Sequence, residues 1–239
     1  MKRLDQHCQD YFGTRTKAQD AIKNGRVSVN GKTITKCSYP VGEADTVDIQ
    51  KKEVEFVSRA YEKLEAALRT FSIDLTGKVV LDIGASTGGF TQACLIAGAK
   101  KVYALDVGHL QLDPGLQADR RVVKMEGRNA KDIKEEWFDE PIDFVCMDVS
   151  FISAKTILVH VLDELDISEL VVLVKPQFEC GPQALNNKGV LKNPKLRTKI
   201  LEDMKQFMLQ YYRHVRLIDS PIEGRSGNLE ALLWGKEKR

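Results

Sequence analysis

Three side chains that could carry acid–base chemistry lie next to strand-like apolar runs. Asp148 and Lys175 each end such a run, and Glu230 lies at the start of the last one, Leu229–Trp234. The carboxyl ends of parallel strands meet at one edge of an α/β sheet, and an antiparallel last strand would begin there. A lysine at that edge could remove a proton or stabilise a developing negative charge. Buried ion pairs without chemistry are the alternative.

A glycine-rich turn follows the first predicted strand, Val79–Ile83. It departs from the dinucleotide-binding pattern because Ser86 stands where a second glycine would admit a pyrophosphate. Asp82 precedes the turn, which favours a ligand that has a positive charge and no phosphate. S-adenosylmethionine fits that description. Asp106, at the end of the second strand, is placed to accept hydrogen bonds from ribose hydroxyls.

The elements that would position these residues alternate between apolar strands and amphipathic helices. This alternation predicts a doubly wound α/β domain with a mainly parallel, buried sheet. The predicted helices are Arg59–Phe71, Phe90–Ala97, Ala154–Leu165 and Leu196–Tyr211. The predicted strands are Val79–Ile83, Val102–Asp106, Val122–Met125, Phe144–Asp148, Leu170–Val174, Val215–Ile218 and Leu229–Trp234.

The first fifty residues predict a separate small α/β unit. Helical spacing runs from Arg3 to Phe12, and Thr16 with Gln19 resembles a capping box for a helix that ends at Gly25. An Asn30-Gly31 turn predicts a β-hairpin between Val27–Val29 and Lys32–Ile34, and Val47–Ile49 is a third strand. We predict a small domain over residues 1–52, a linker over 53–58 that overlaps the charged run Lys51–Glu55, and the α/β domain over 59–239.

Charge is divided unevenly between these parts. Residues 1–52 carry ten Lys or Arg and six Asp or Glu, whereas the other residues carry 26 and 28, and the whole chain has a net charge of +2. A basic small domain is typical of a module that docks on a polyanion, although a solvated charged face is the alternative. Five scattered cysteines indicate neither a disulfide framework nor a metal site. No signal peptide or membrane-spanning run is predicted, so we expect a cytoplasmic protein.

The run Leu81–Phe90, LDIGASTGGF, resembles the cofactor loop of class I methyltransferases. The amino-acid sequence of this loop is similar to that of the TlyA (hemolysin A-type) family, whose members are relatives of the FtsJ-type RNA ribose methyltransferases. Asp148–Ser153 and Leu173–Glu179 follow that family, as does Ser58–Leu64, except that Ala60-Tyr61 stands where a Gly-Gly pair is common. The N-terminal unit resembles the RNA-binding domain first described in a small-subunit ribosomal protein.

The resemblance implies a class I, Rossmann-like fold and methyl transfer from S-adenosylmethionine to a ribose 2′-hydroxyl, of a cytidine in ribosomal RNA. It adds Lys63 to the predicted catalytic set, which becomes Lys63, Asp148, Lys175 and Glu230. The predicted cofactor-binding residues are Asp82, Gly84, Ser86, Thr87, Gly88, Asp106, Asn129 and Asp148. The predicted RNA-binding residues are Arg3, Arg15, Lys17, Lys23 and Arg26, and no metal ligand is predicted.

The expected partner is ribosomal RNA, in subunits or in the assembled ribosome, and we expect a monomer that does not bind a membrane. Two other functions stay open at this point. One is a membrane-lytic hemolysin, after the family's historical label, and the other is a non-catalytic RNA-binding protein on a vestigial methyltransferase fold. Asp148-Val149-Ser150-Phe151 differs from the N/D-P-P-Y/F turn of base-amino methyltransferases, and Cys180 lacks the setting of a cytosine-C5 nucleophile. Phe151 could stack on a base or pack within the protein.

Overall fold

The chain folds into two compact units. The computed structural model describes residues 1–50 and 56–239, and the backbone divides into Met1–Glu55 and Phe56–Arg239. The charged run Lys51–Glu55 therefore lies outside the described residues, as does half of the predicted linker over 53–58. The boundaries at 52 and 58 stay a prediction.

The N-terminal unit packs three short helices against small β-sheets around a core that includes Leu4, Ile22 and Val27, all fully buried. β2 (Val27–Val29) pairs antiparallel with both β3 (Lys32–Thr33) and β5 (Val47–Ile49), and β1 (Lys2–Arg3) pairs with β4 (Pro40–Val41). The elements are β1 Lys2–Arg3, α1 Leu4–His7, α2 Gln9–Phe12, α3 Arg15–Lys23, β2 Val27–Val29, β3 Lys32–Thr33, β4 Pro40–Val41 and β5 Val47–Ile49.

The predicted hairpin is confirmed. Asn30 and Gly31 have φ angles of 51° and 76°, the left-handed pair that a two-residue hairpin turn requires. The strand at Val47–Ile49 is confirmed as well.

Two details of the predicted helices in this unit are wrong. Thr14, not Thr16, caps α3, because its hydroxyl accepts the Lys17 amide at 3.2 Å. The first helix begins at Leu4 rather than Arg3 and is interrupted at Cys8. Arg3 instead pairs with Pro40 in a two-residue strand that no local pattern predicted.

The second unit is a seven-stranded sheet with helices on both faces, as predicted. The predicted strands and long helices are present with shifts of a few residues at their ends. The helices are α4 Ala60–Phe71, α5 Gly89–Ile96, α6 Pro114–Gln117, α7 Ala154–Glu164, α8 Pro176–Glu179 and α9 Pro194–Met208. The strands are β6 Val79–Ile83, β7 Lys101–Asp106, β8 Val122–Glu126, β9 Phe144–Met147, β10 Glu169–Val174, β11 Tyr212–Asp219 and β12 Ala231–Lys238.

The strand order is β11-β12-β10-β9-β6-β7-β8, and β12 is antiparallel to both of its neighbours. Val174 pairs with Ala231, so the end of β10 lies beside the start of β12. Asp148 and Lys175 follow directly after β9 and β10, and Glu230 directly precedes β12. The sheet therefore brings all three residues to one edge.

Candidate active site

A cavity of about 360 Å³ opens at this edge of the sheet. Four segments line it: the start of α4 with Lys63, the glycine loop, the ends of β9 and β10, and the loop before β12. The lining residues are Ser58, Arg59, Ala60, Lys63, Gly84, Ala85, Ser86, Thr87, Gly89, Phe90, Asp148, Ser150, Lys175, Ile222, Glu223 and Gly224. We call this the catalytic cavity.

Two lysine–carboxylate pairs stand at the catalytic cavity. Lys175 Nζ lies 2.6 Å from Asp148 Oδ1 and donates to Ser150 Oγ at 2.7 Å. Lys63 Nζ donates to Glu230 Oε2 at 2.6 Å. The side chains of both lysines are about nine-tenths buried, which makes an unpaired charge there costly and explains why each has a carboxylate partner. The four residues of the predicted catalytic set thus stand as two pairs, and three of them line the cavity.

Lys63 is carried into this region by α4, whose buried face also includes Leu64 and Ala67. The start of that helix lies close to Gly89. A Cβ at Gly89 would lie 2.2 Å from Ser58 Oγ and 2.9 Å from the Ala60 Cβ. The glycine therefore permits the close packing that places the start of α4 against the cofactor loop.

The glycine loop turns sharply where β6 ends. Gly84 has φ +84°, and a Cβ there would lie 2.5 Å from the Asp148 carbonyl oxygen. A larger residue would therefore be strained and would push the loop away from the end of β9. Gly88 directly precedes α5 and has φ +98°, and it does not line the cavity.

Asp106 does not line the cavity but holds the glycine loop by hydrogen bonds. Its two carboxylate oxygens accept the backbone amides of Ser86 and Gly108, each at 2.7 Å. A carboxylate can accept further hydrogen bonds at each oxygen, so the predicted contact with ribose hydroxyls is compatible with this geometry.

Two predicted cofactor residues lie elsewhere. Asp82 is fully buried, and its Oδ2 accepts the Thr91 hydroxyl at 2.6 Å. Burial raises the pKa of this carboxyl to about 7. Asn129 is exposed and caps a short 3-10 turn through the Lys131 amide. Neither side chain is brought to the catalytic cavity.

The residues that are present fit S-adenosylmethionine. The volume of the catalytic cavity lies in the range of small-molecule sites. Asp148 offers negative charge for an ammonium or sulfonium, Arg59 offers positive charge for a carboxylate, and the loop through Ser86 and Thr87 offers backbone groups. When bound, this cofactor would supply the methyl group that is attached to its positively charged sulfonium sulfur.

Several site residues were missed from the sequence. Ser150 accepts a hydrogen bond from Lys175, and Gln177 donates to Glu230 Oε1 at 3.1 Å. Arg197 of α9 donates to the Leu229 carbonyl at 3.2 Å, which supports the loop before β12. Glu126 accepts the amides of residues 110–112 at 2.8 to 3.0 Å. The spacing of residues in the sequence did not indicate any of these four, because each forms its hydrogen bond with a residue that is distant in the sequence.

An exposed aromatic side chain stands next to the cavity. Phe151 is 84% exposed and has φ +64°, an unusual conformation for a bulky residue. Its ring lies 5.1 Å from that of Phe178, whose ring lies 5.9 Å from Lys175 Nζ. The ring of Phe151 is not packed in the core, so it is accessible for stacking on a base.

The predicted RNA-binding residues all lie in the N-terminal unit. Arg3 and Arg15 converge on Asp5, which is fully buried, with nitrogen–oxygen distances of 3.0 and 3.1 Å. The guanidinium of Arg26 lies 5.4 Å from the centre of the Phe12 ring. Lys17 and Lys23 lie on α3.

Comparisons with known proteins agree with this architecture. Residues 56–237 match the FtsJ-like methyltransferase family, and residues 3–47 match the S4 domain. Hemolysin A of Brachyspira hyodysenteriae is 44% identical, over 96% of this chain and 98% of that protein. The 16S/23S rRNA (cytidine-2'-O)-methyltransferase TlyA of Mycobacterium tuberculosis is 37% identical, over 92% of this chain and 84% of that protein.

A solved structure agrees over nearly the full length. A protein from Streptococcus thermophilus, provisionally named a hemolysin, superimposes with a TM-score of 0.76 at 35% identity, over 99% of this chain and 88% of that one. Among the helices that the structure describes, none is long and apolar enough to cross a membrane. The extent of these matches shows that the chain is a TlyA/hemolysin A-type member of the FtsJ-like methyltransferase family, with an S4 domain before the methyltransferase domain.

Proposed function

We propose that this protein transfers a methyl group from S-adenosylmethionine to a ribose 2′-hydroxyl in ribosomal RNA, at a cytidine. The observation that carries the proposal is the pair Lys175–Asp148, at 2.6 Å, in a cavity shared with the glycine loop. A ribose hydroxyl is a weak nucleophile and must lose its proton as it attacks. A positioned lysine is suited to that step.

The names of relatives support the choice of substrate. The Mycobacterium tuberculosis relative is named a 16S/23S rRNA cytidine-2'-O-methyltransferase. The family match across residues 56–237 supports the same type of reaction.

Lys175 is the residue closest to the chemistry in this proposal. Its ammonium is held between Asp148 Oδ1 and Ser150 Oγ at 2.6 and 2.7 Å. As a neutral amine at this position, Lys175 would take the hydroxyl proton and become an ammonium; alternatively it would stay charged and stabilise the alkoxide as it forms. Asp148 fixes its direction in both cases.

The second pair, Lys63–Glu230, would position rather than react. Glu230 is 3% exposed and also accepts from Gln177, so the Lys63 ammonium is tied to a rigid frame. Its positive charge at the catalytic cavity would favour a substrate that develops negative charge.

Docking on the RNA would come from the S4 domain, through Arg3, Arg15, Lys17, Lys23 and Arg26. We propose that the RNA is presented in a ribosomal subunit or an assembled ribosome, that the enzyme acts in the cytoplasm, and that it acts as a monomer. Phe151 would hold the target base by stacking on it, since an exposed aromatic ring can stack on any of the bases.

The proposal is tested by incubating the protein with isolated small and large ribosomal subunits and S-adenosylmethionine labelled in its methyl group. A 2′-O-methylated ribose cannot attack the neighbouring phosphodiester, so that bond resists alkali. We expect label in an alkali-resistant dinucleotide whose 5′ member is cytidine.

A Lys175→Ala protein serves as the matched control and should transfer little label. Label that is released as a methylated base, or as an alkali-sensitive mononucleotide, would contradict methylation of the ribose. Absence of transfer to either subunit would favour the vestigial, non-catalytic alternative.

Membrane lysis is a second candidate because two relatives carry the name hemolysin. The buried lysine–carboxylate pairs have no role in it. A dye-leakage assay on vesicles of neutral and anionic lipid separates the two functions, and we expect no leakage.

A further inference from the structure

One segment of the methyltransferase domain is strongly basic. Between Glu179 and Glu202 the chain has five lysines or arginines and no acidic residue. Lys188, Lys192 and Lys195 are exposed, whereas Arg197 turns inward to Asp219 and the carbonyl of Leu229. This concentration of charge lies outside the S4 domain, where all five of the predicted RNA-binding residues lie.

A second cavity, of about 460 Å³, lies on this segment. We call it the lysine cavity, and it is lined by Asn186, Asn187, Lys188, Val190, Lys192 and Ser226. Two ammonium groups, two side-chain amides and a hydroxyl thus surround one space.

The loop that forms the lysine cavity is held in one shape by its own hydrogen bonds. Asn186 Oδ1 accepts the amides of Lys188 and Val190 at 2.9 and 3.0 Å, and the Asn186 carbonyl accepts the Gly189 amide at 2.8 Å. Leu185 and Leu191 form a β-bridge across its base. A loop ordered in this way loses little entropy when it binds a ligand.

The same loop is tied to the catalytic cavity by Asn228, which is 5% exposed. Asn228 accepts the Leu191 amide at 3.2 Å and donates to the Gly189 carbonyl at 3.1 Å. Its own carbonyl accepts the Gly224 amide at 2.9 Å. Gly224 lines the catalytic cavity and Ser226 lines the lysine cavity, so a single turn of chain borders both.

We propose that the lysine cavity holds the sugar-phosphate backbone of the substrate RNA next to the nucleotide being methylated. This inference rests on the proposed function. Lys188 and Lys192 would neutralise phosphates, and the amide of Asn187 can both donate to and accept from a ribose hydroxyl. A positively charged groove that follows the backbone is the usual way to hold a single strand.

An acidic segment of a ribosomal protein is the other ligand that two lysines could hold. RNA is favoured because the lysine cavity borders the catalytic cavity, and a strand whose nucleotide occupies the catalytic cavity must continue past its rim. Binding to ribosomal RNA that has been stripped of protein separates these two ligands.

The test compares Lys188→Glu/Lys192→Glu with Arg120→Glu/Arg213→Glu in the full-length protein. Arg120 and Arg213 are exposed and lie just before β8 and at the start of β11. Both strands run parallel to β10, so these residues lie at the sheet edge opposite the cavities. Both variants change the net charge by the same amount.

We expect Lys188→Glu/Lys192→Glu to raise the KM for ribosomal subunits about tenfold or more and to leave the Kd for S-adenosylmethionine unchanged. RNA retention on filters, which needs no catalysis, should weaken in parallel. The slope of log affinity against log salt should become shallower by about 1 to 2, as expected when two phosphates are no longer neutralised. The arginine variant should match the wild type in all three measurements.

Equal RNA retention and KM for wild type and Lys188→Glu/Lys192→Glu would overturn the inference and leave the proposed function intact. A loss seen with intact subunits but not with protein-stripped ribosomal RNA would also overturn it, since the lysines would then bind protein. If the wild type methylates neither subunit, the proposed function fails, and filter retention still decides whether the lysine cavity binds RNA.

Discussion

Single side chains at the catalytic cavity differ in how directly they can act. Lys175 follows a buried strand and lines the cavity together with its partners Asp148 and Ser150. Lys63 reaches the cavity from a helix and is tied to Glu230, which does not line it. A group at the end of a rigid strand can be aimed with little loss of entropy, so Lys175 is the more sensitive position for a test of mechanism.

We predict that Lys175→Ala lowers the rate of methyl transfer by roughly 10²–10⁴, the usual range for a positioned proton-transfer group. The Kd for S-adenosylmethionine and for RNA should stay within a few-fold, because the substitution removes an interaction needed mainly in the transition state. Single-turnover kinetics on subunits, with calorimetry for the cofactor, measure both quantities.

Lys175→Arg then separates the two roles of the lysine. Arginine keeps the charge but does not give up its proton. Substantial activity in the arginine variant would favour charge stabilisation, and loss of activity would agree with a base. Full activity in Lys175→Ala would remove this residue from the mechanism.

Asp82 shows why residue type alone did not identify every contact. The sequence places this acid directly before the glycine loop, yet the side chain points into the core between Thr91 and Cys146. Its raised pKa, about 7, comes first from burial. The side chain is fully buried and does not line the catalytic cavity, so it is not placed to contact a cationic ligand there.

At the level of elements, hydrogen bonds from three side chains of the S4 domain converge on one buried carboxylate. Asp5 of α1 accepts from Arg3 at 3.0 Å, from Arg15 at 3.1 Å and from Gln19 at 2.7 Å. It thereby joins β1, α1 and α3. These hydrogen bonds hold the pKa of Asp5 well below its usual range, and the one from Arg3 has the largest effect. Asp5 therefore orients the side chains of Arg3 and Arg15, two of the predicted RNA-binding residues.

We predict that Asp5→Asn lowers the local stability of the S4 domain by about 1–3 kcal/mol, the scale of hydrogen bonds to a charged group. Since the pKa of Asp5 is lowered on folding, its contribution is complete above about pH 4 and disappears as the pH falls through the lowered value. Hydrogen exchange should therefore show reduced protection of α3 amides in the variant at both pH 7 and pH 5.

The amides of α4, in the methyltransferase domain, are the internal control and should keep their protection. RNA affinity should fall with the protection of α3, because Arg3 and Arg15 lose their common anchor. Unchanged protection of α3 would mean that Asp5 does not hold these elements together.

At the scale of the whole molecule, the proposed docking residues and the proposed catalytic residues lie in different units. The basic excess lies in the first fifty-two residues, whereas both lysine–carboxylate pairs lie in the methyltransferase domain. This division predicts that docking and cofactor binding can be separated.

We predict that deletion of residues 1–52 leaves the Kd for S-adenosylmethionine unchanged and abolishes methylation of ribosomal subunits. The RNA affinity of the intact protein should fall steeply with salt, by up to about 0.9 log units per log unit of salt for each phosphate that the protein neutralises. Calorimetry and filter binding across a salt series measure the two effects. RNA binding by the intact protein that does not vary with salt would contradict this division.

Regular elements of the methyltransferase domain could be predicted almost completely. Runs such as Leu170–Val174 are apolar on both faces, and their short length and valine content favour a buried parallel strand over a buried helix. Short elements were harder to predict. β1 and β4, two residues each, are stabilised by pairing with each other rather than by local preference, and the cap of α3 was displaced by two residues.

For the site, the sequence by itself determined the chemical types and the edge of the sheet at which Asp148, Lys175 and Glu230 lie, because strand ends are set by hydrophobic pattern. Only the tertiary structure decided the pairing, Lys175 with Asp148 and Lys63 with Glu230, since these ion pairs join residues 27 and 167 positions apart, as their numbers give. It also decided that Asp82 faces the core and that the Asn186–Lys192 loop lies beside the catalytic cavity. Both depend on how distant elements pack, which local patterns do not encode.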